Sequence, residues 1–214
     1  MIDLVADCKA TIPPYCRVNR VFRDIPADDI VTGVKRSNLR QLVHDRLAAT
    51  GRACRCIRCR EVRESAVHDA DLQPVVHSYE TSHSREHFLS YETSAGRLVG
   101  FLRLSLPGLT AVTMPAGVVQ EIWDVLPELT GAALIRELHV YGPALEIGAA
   151  NTGEAQHLGL GRRLIAEAQA RAREAGFGRL AVIAAIGTRR YYEKLGFERG
   201  ELYMHVDTRQ NDIG

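Results

Sequence analysis

The chain has 214 residues, 46% of them hydrophobic and 25% charged, enough length to bury one large domain or one domain with an extended arm. No apolar run approaches the ~20 residues that cross a bilayer. Asp3 and Asp7 interrupt the first apolar stretch, and three of the five cysteines fall within six residues. Membrane and secreted disulfide proteins are thereby excluded in favour of a reducing, cytoplasmic compartment. The net charge of +1 hides an asymmetry, since residues 1–63 hold 13 Lys or Arg against 7 Asp or Glu and the remainder 14 against 19.

Taken in chain order, a weak amphipathic pattern predicts a helix over 2–10, stopped by Pro13 and Pro14. Alternation predicts a strand over 17–22, punctuated by Asp24-Ile25-Pro26. Leu39, Leu42, Val43 and Leu47 stand at helical spacing within 37–50, and Gly51 supplies the stop. Residues 1–55 therefore read as a basic connector or arm, 56–209 as the main domain and 210–214 as a tail. The basic residues Arg17, Arg20, Arg23, Lys35, Arg36, Arg40, Arg52, Arg55, Arg58, Arg60 and Arg63 suit either a surface that tracks phosphates or a solvated arginine-rich face.

From Cys54 the pattern turns to strands, a first over 54–62 and then a polar stretch to Glu86 with a helix around 72–79. A hairpin of 87–92 and 98–106 follows, around the turn Ser94-Ala95-Gly96. Residues 107–131 read as an insertion with one helical stretch, 118–126, in which Trp123 packs. A strand over 134–141, a helix over 159–175 and a strand over 180–186 make a β-loop-α-β unit. The second of these strands is apolar throughout, as a parallel strand covered on both faces would be. A short helix over 188–195 and a hairpin over 197–206 close the pattern.

Four groups of residues carry chemistry. In Gln156-His157-Leu158-Gly159-Leu160-Gly161, two glycines at a helix start leave backbone N–H groups open to a diphosphate, with Arg162 and Arg163 behind them; glycines serve tight turns and close packing as well. Along 136–142, alternation puts Glu137, His139 and Tyr141 on one face and Leu138 and Val140 on the other. The first three can position or deprotonate a reacting group, or can form a buried polar network, while the strand's edge can pair with an amide-rich pantetheine arm. Tyr191 and Tyr192 point about 100° apart on a helix, so one can face the core while the other offers a hydroxyl to a departing thiolate. Cys54-x-Cys56-x2-Cys59 suits zinc, with His44 or His68 as fourth ligand, or an iron–sulfur site, or plain thiols.

The order of strand, Gln-x-x-Gly-x-Gly loop, helix, strand and tyrosine-bearing helix ending in Leu-Gly-Phe resembles the GNAT acetyltransferases. Arg-Glu-Leu-His-Val-Tyr-Gly at 136–142, Gln-His-x-Gly-x-Gly at 156–161 and Gly-Thr-Arg-x-Tyr-Tyr at 187–192 resemble, more narrowly, the acetyltransferase half of the catalytic subunit of Elongator. So do Arg-Asp-Ile-Pro at 23–26, Asn-Leu-Arg at 38–40, Arg-Glu-Val at 60–62 and Phe-Leu-Ser-Tyr-Glu at 88–92. The resemblance runs over nearly the whole chain outside 107–131 and the last few residues.

The resemblance implies an α/β GNAT fold, a mixed and splayed sheet with flanking helices, in an enzyme that uses acetyl-CoA to build a carboxymethyl group on the wobble uridine of tRNA. Acetyl-CoA would be held by Glu137, Leu138, His139 and Val140, by Gln156, Gly159, Leu160, Gly161 and Arg162, and by Tyr191 and Tyr192. Tyr192, Glu137 and His139 would carry the chemistry, and the basic front would hold the anticodon stem-loop of tRNA. A structural zinc on Cys54, Cys56 and Cys59 is implied too. The family's other half is a radical S-adenosylmethionine domain with an iron–sulfur cluster on Cys-x3-Cys-x2-Cys. That pattern is absent from this sequence, so the chain reads as a fragment or a stand-alone relative that needs the radical half, in cis or trans, for the full reaction. Two other readings stand beside this one: a protein lysine acetyltransferase with Glu137 as base, and a non-catalytic tRNA-binding module that senses acetyl-CoA.

Overall fold

The computed structural model describes residues 1–21, 27–33, 38–63, 67–108, 124–141 and 159–209. Its contacts divide the chain into two units, Met1–Glu61 and Val62–Gly214. The first unit is helical where the apolar spacing says so. Helix α1 (Ile2–Ala10) and α2 (Leu39–Ala49) close over Ala6, Leu39, Val43 and Leu47, and Cys54 and Cys56 complete that cluster. Gly51, with φ of 66°, turns the chain out of α2 while the Arg52 N–H returns to the Leu47 carbonyl at 2.9 Å.

Two expected strands are absent from this unit. Residues 17–21 are irregular, and 54–60 hold a single helical turn, α3 (Ile57–Arg60), instead of extended chain. Alternation supplies a face but not a partner, and here side chains take the backbone groups that a ladder would use. The Val18 carbonyl accepts from Arg40 at 3.2 Å, the Asn19 carbonyl from Arg58 at 2.5 Å, and the Cys16 carbonyl accepts the Ile57 N–H at 2.9 Å.

The second unit is built on a seven-stranded sheet. Its strands are β1 (Leu72–Glu80), β2 (Ser84–Thr93), β3 (Leu98–Pro107), β4 (Ala132–Val140), β5 (Arg179–Val182), β6 (Glu198–Arg199) and β7 (Met204–Asp207), in the order β1-β2-β3-β4-β5-β7-β6. Among the described strands only β4 and β5 run parallel, joined across helix α4 (Leu160–Glu174), and the other pairs are antiparallel. Helix α5 (Arg189–Glu193) follows β5.

Strand β1 corrects the helix expected over 72–79. From Val75 to Glu80 its burial alternates residue by residue, and Pro74, which a helix accepts in its first turn, sits equally well on an edge strand. The 87–92 and 98–106 hairpin is present, with Gly96 left-handed in its turn. Strand β5 is four residues long, shorter than expected, and Ile183 and Ile186 beyond it are 64% and 82% exposed. The expected helix at 118–126 falls mostly outside the described residues, as do Trp123, Gln156 and His157.

Leu164, Ile165, Ala168 and Ala172 of α4 pack one face of the sheet against Leu89, Leu102, Leu104, Ile135, Leu180 and Val182. The hydrophobic effect at ~25 cal/mol per Å² of buried apolar surface makes this the dominant stabilising contact of the unit. The other face is of a different character, carrying buried Phe88 and Phe101 together with Glu86, Ser90, Glu92 and Ser105. Among the described residues no helix is long and apolar enough to cross a membrane.

Candidate acyl-donor cleft and cysteine cluster

The sheet splits at its centre. Strand β5 accompanies β4 only from Ala132 to Ile135, and ends at Val182. Strand β4 continues to Val140, paired on its other side with β3. Among the described residues no strand lies against positions 136–140 on the β5 side, which leaves backbone N–H and C=O groups available to an extended, amide-bearing ligand. The register also slips here. Leu104 faces Ile135 and Arg103 faces Glu137, so Arg136 is an extra residue on β4, a bulge that re-aims the side chains around it.

Alternation around the bulge separates the residues singled out on this strand. Leu138 belongs to the core packed by α4. On the opposite face Arg103 Nε donates to Glu137 Oε2 at 2.9 Å, and its guanidinium lies over the rings of Phe88 and Phe101. The His139 ring stacks on Phe101 at 6.0 Å and lies 4.4 Å from that of Tyr141. Glu137 is thus engaged in an ion pair, and His139 belongs to an aromatic row.

The start of α4 sits over the unpaired stretch. Gly159 caps the helix with φ of 65° and nothing within 4 Å of where a Cβ would stand, so the left-handed backbone selects glycine there. Gly161 answers to a neighbour instead: a Cβ would stand 2.5 Å from Tyr191 Oη and 3.9 Å from a Leu138 methyl. The first N–H groups of a helix have no acceptor within it, and they carry the positive end of its dipole. Of the two arginines that follow, Arg163 is committed elsewhere, its guanidinium 4.4 Å over the Tyr91 ring and paired with Asp69 at 2.5 Å. Arg162 is exposed.

The two tyrosines part company as adjacent helical residues must. Tyr192 is 7% exposed, edge-on to Phe197 at 5.3 Å, and burial pushes its phenol up to about 12. Tyr191 is 38% exposed and brings its hydroxyl to Gly161; burial raises its phenol as well, with Arg162 opposing.

The first unit holds the cysteine cluster. The Sγ atoms of Cys54, Cys56 and Cys59 all lie within 4.8 Å of one another. His44 Nε2 lies 3.6 Å from Cys59 Sγ, and Lys9, 2% exposed, donates to the same sulfur at 3.8 Å. The Cys59 thiol donates to Cys56 and holds it below the usual thiol range, while burial lowers His44. Three sulfurs and an imidazole are the donor set of a tetrahedral zinc site, and a deprotonated sulfur with a neutral histidine is the form that a metal binds. Lys9 was not singled out by sequence; a lysine at a helix C-terminus reads as solvated until the fold covers it.

Several arginines expected to track phosphates have intramolecular partners. Arg17 pairs with Glu61 at 2.9 Å and Arg52 with Asp7 at 2.8 Å. Arg60 is 7% exposed and donates to the Arg55 and Pro14 carbonyls. Arg20 and Arg55 are exposed, whereas Arg23, Lys35 and Arg36 lie outside the described residues.

Comparison with known proteins follows the same division. Residues 1–49 match the Radical_SAM C-terminal domain family and residues 152–206 the acetyltransferase (GNAT) domain family. A tRNA uridine(34) acetyltransferase of Dehalococcoides mccartyi is 42% identical over 215 residues, covering 97% of this chain and 44% of that protein. An Elongator complex protein 3 of Drosophila melanogaster is 36% identical over 219 residues, 99% of this chain and 37% of that one. The solved structure of the archaeal Methanocaldococcus infernus Elp3 with an N-terminal deletion superposes with a TM-score of 0.77 at 35% identity, over 96% of this chain and 47% of that one. The chain therefore spans less than half the length of these relatives, and the fold of its second unit is the GNAT fold.

Proposed function

Because the chain belongs to the Elongator protein 3 family, we propose that its second unit binds acetyl-CoA in the cleft between β4 and β5 and acts on the thioester when a tRNA carrying a wobble uridine is bound. The observation that carries this reading is the placement of the α4 N-terminus over the unpaired half of β4, fixed by the approach of Leu138 to Gly161. A diphosphate would lie on the N–H groups of Gly159, Leu160, Gly161 and Arg162. The pantetheine amides would pair along Glu137, Leu138, His139 and Val140 as a short additional strand.

In this reading the chain's own part is to bind the thioester, hold it against water until RNA is present, and supply a proton to the leaving sulfur. Hydrolysis joins water oxygen to the acyl carbon and breaks the carbon–sulfur bond, and the sulfur takes up a proton. A phenol is protonated at neutral pH with or without burial, and Tyr192 is the proposed donor, while Tyr191, whose hydroxyl stands at Gly161, would lie at the diphosphate end. Carboxymethylation of the uridine calls for a carbon radical, which S-adenosylmethionine and an iron–sulfur cluster on Cys-x3-Cys-x2-Cys would supply in the family, a spacing that Cys54, Cys56 and Cys59 do not have. Cys54, Cys56, Cys59 and His44 would hold a structural zinc.

The test is acetyl-CoA affinity and thioester turnover with and without tRNA. Wild type is expected to bind acetyl-CoA and to cleave it faster with RNA. Gly161→Arg, which fills the helix mouth and displaces Tyr191, is expected to lose at least about tenfold in affinity, ~1.4 kcal/mol, while keeping its far-ultraviolet dichroism. Equal affinity in the variant would place the anion site elsewhere. Tight binding without turnover in the presence of tRNA would favour the sensor.

A further inference from the structure

We infer that the cavity beside the fork of β4 and β5, on the sheet face away from α4, is an acceptor pocket that takes the imide edge of a uracil ring. The inference rests on the function proposed above and gives that reading its base-recognising residues. The cavity has a volume of about 500 Å³, and Ser84, Glu86, Ser105, Arg136, Ile183 and Tyr203 are among the residues that line it. That is ample room for a planar ring. Ile183, just past the end of β5, is 64% exposed, so one wall is an apolar surface without a cover.

Glu86 makes the pocket specific. It is 1% exposed, and its Oε1 accepts the Ser84 hydroxyl at 2.6 Å. Its Oε2 is buried, has no hydrogen bond, and lies 3.2 Å from Arg136 Nη1. The ion pair with Arg136 compensates the buried charge, but an oxygen without a hydrogen bond still forfeits part of its hydration, so a ligand N–H aimed at it would be favoured. Arg136 is the bulge residue of β4 and is 54% exposed, so its fork is held close to the carboxylate at one end and open to the cavity at the other.

The pair selects the chemistry of the ligand. A protonated amine would meet a guanidinium already on the same oxygen, so a second cation is disfavoured. A neutral N–H flanked by carbonyl oxygens suits both partners, since Glu86 accepts the N–H and Arg136 donates to the neighbouring carbonyl. Uracil presents that arrangement at its N3 edge. Cytosine presents a bare ring nitrogen at the same position, an acceptor set against a carboxylate. Tyr203 and Ile183 offer surfaces against which such a ring can lie.

Two anticodon stem-loops that differ only in U or C at the wobble position, each titrated against the whole chain in the presence of acetyl-CoA, test the assignment by fluorescence anisotropy. Wild type is expected to prefer U by roughly tenfold or more. Glu86→Gln keeps the shape and an acceptor for Ser84 but can donate to the cytosine ring nitrogen, so the ratio of U to C affinity should fall to about one or invert. Arg136→Met, at a largely exposed position, should weaken U binding. A wild-type ratio near one, or a ratio unmoved by Glu86→Gln, overturns the pocket, even where tRNA still stimulates thioester cleavage. Failure to bind either stem-loop, with no stimulation by tRNA, overturns both this inference and the function on which it rests.

Discussion

Gly159 and Gly161 stand two residues apart and answer to unrelated constraints. The first is a matter of backbone, at φ of 65° in open space; the second is a matter of room, with the Tyr191 hydroxyl 2.5 Å from a Cβ. The distinction is measurable. Gly161→Ala should destabilise the chain by about 1–2 kcal/mol through overpacking, and Tyr191→Phe should remove most of that loss, because the nearest remaining atom of that ring would be 3.5 Å away, an ordinary contact. A melting-temperature cycle over the four proteins checks it, and an unrelieved loss would mean that the hydroxyl is not what Gly161 accommodates. Tyr192 calls for a kinetic measurement. Tyr192→Phe is expected to slow thioester cleavage more than it weakens acetyl-CoA binding, whereas Tyr191→Phe is expected to act mainly on binding. Equal rates for wild type and Tyr192→Phe would leave that hydroxyl without a chemical role. Sequence could say that two adjacent helical tyrosines diverge, but the one that faces the core is decided by Phe197, which packs edge-on against Tyr192.

At the scale of elements, the parts legible from sequence are those whose pattern is set by a single neighbour. The helices α1, α2 and α4 bury one stripe each, and the β2–β3 hairpin is announced by its turn, so spacing and a glycine were enough. The parts that misled depend on more distant partners. Residues 17–21 alternate but find no ladder, and 54–60 coil into a turn around the cysteines. Strand β1 looked helical because nothing local says that β2 is waiting for it over nine paired positions. The fork carries the same lesson for the site. Glu137, His139 and Leu138 were assigned to their faces by period two alone, but the bulge at Arg136 and the ion pair from Arg103 to Glu137 arise from the register between β3 and β4, which no local pattern encodes. Glu86 was missed for a related reason. The expected strand begins at His87 and leaves Glu86 in the polar stretch before it; once β2 starts at Ser84, period two puts Glu86 on the buried face of Phe88.

For the molecule as a whole, the first unit poses a question of stability. Among the described residues its buried apolar cluster comprises Ala6, Leu39, Val43, Leu47, Cys54 and Cys56, with Ile57 buried as well, few of them large side chains. The ion pairs Arg46–Asp3 and Arg52–Asp7 are substantially exposed, and pairs of that kind contribute about 0–1 kcal/mol each. Small units of this composition commonly depend on a metal or a covalent staple. Zinc on three thiolates and a neutral imidazole would carry one negative charge, and Lys9, buried with its amine 3.8 Å from Cys59 Sγ, supplies the balancing positive one. The expected outcome is one zinc per chain by metal analysis. Its removal by a chelator, or Cys56→Ser, should abolish hydrogen-exchange protection in α1 and α2 and leave the amides of β2, β3 and β4 protected. Cysteines that were merely packed would give the opposite pattern, since a serine in place of one thiol would cost part of the cluster's burial energy without erasing protection, and a chelator would change nothing. Full protection of α1 and α2 in metal-free protein therefore rejects the zinc assignment and returns the three thiols to the apolar core.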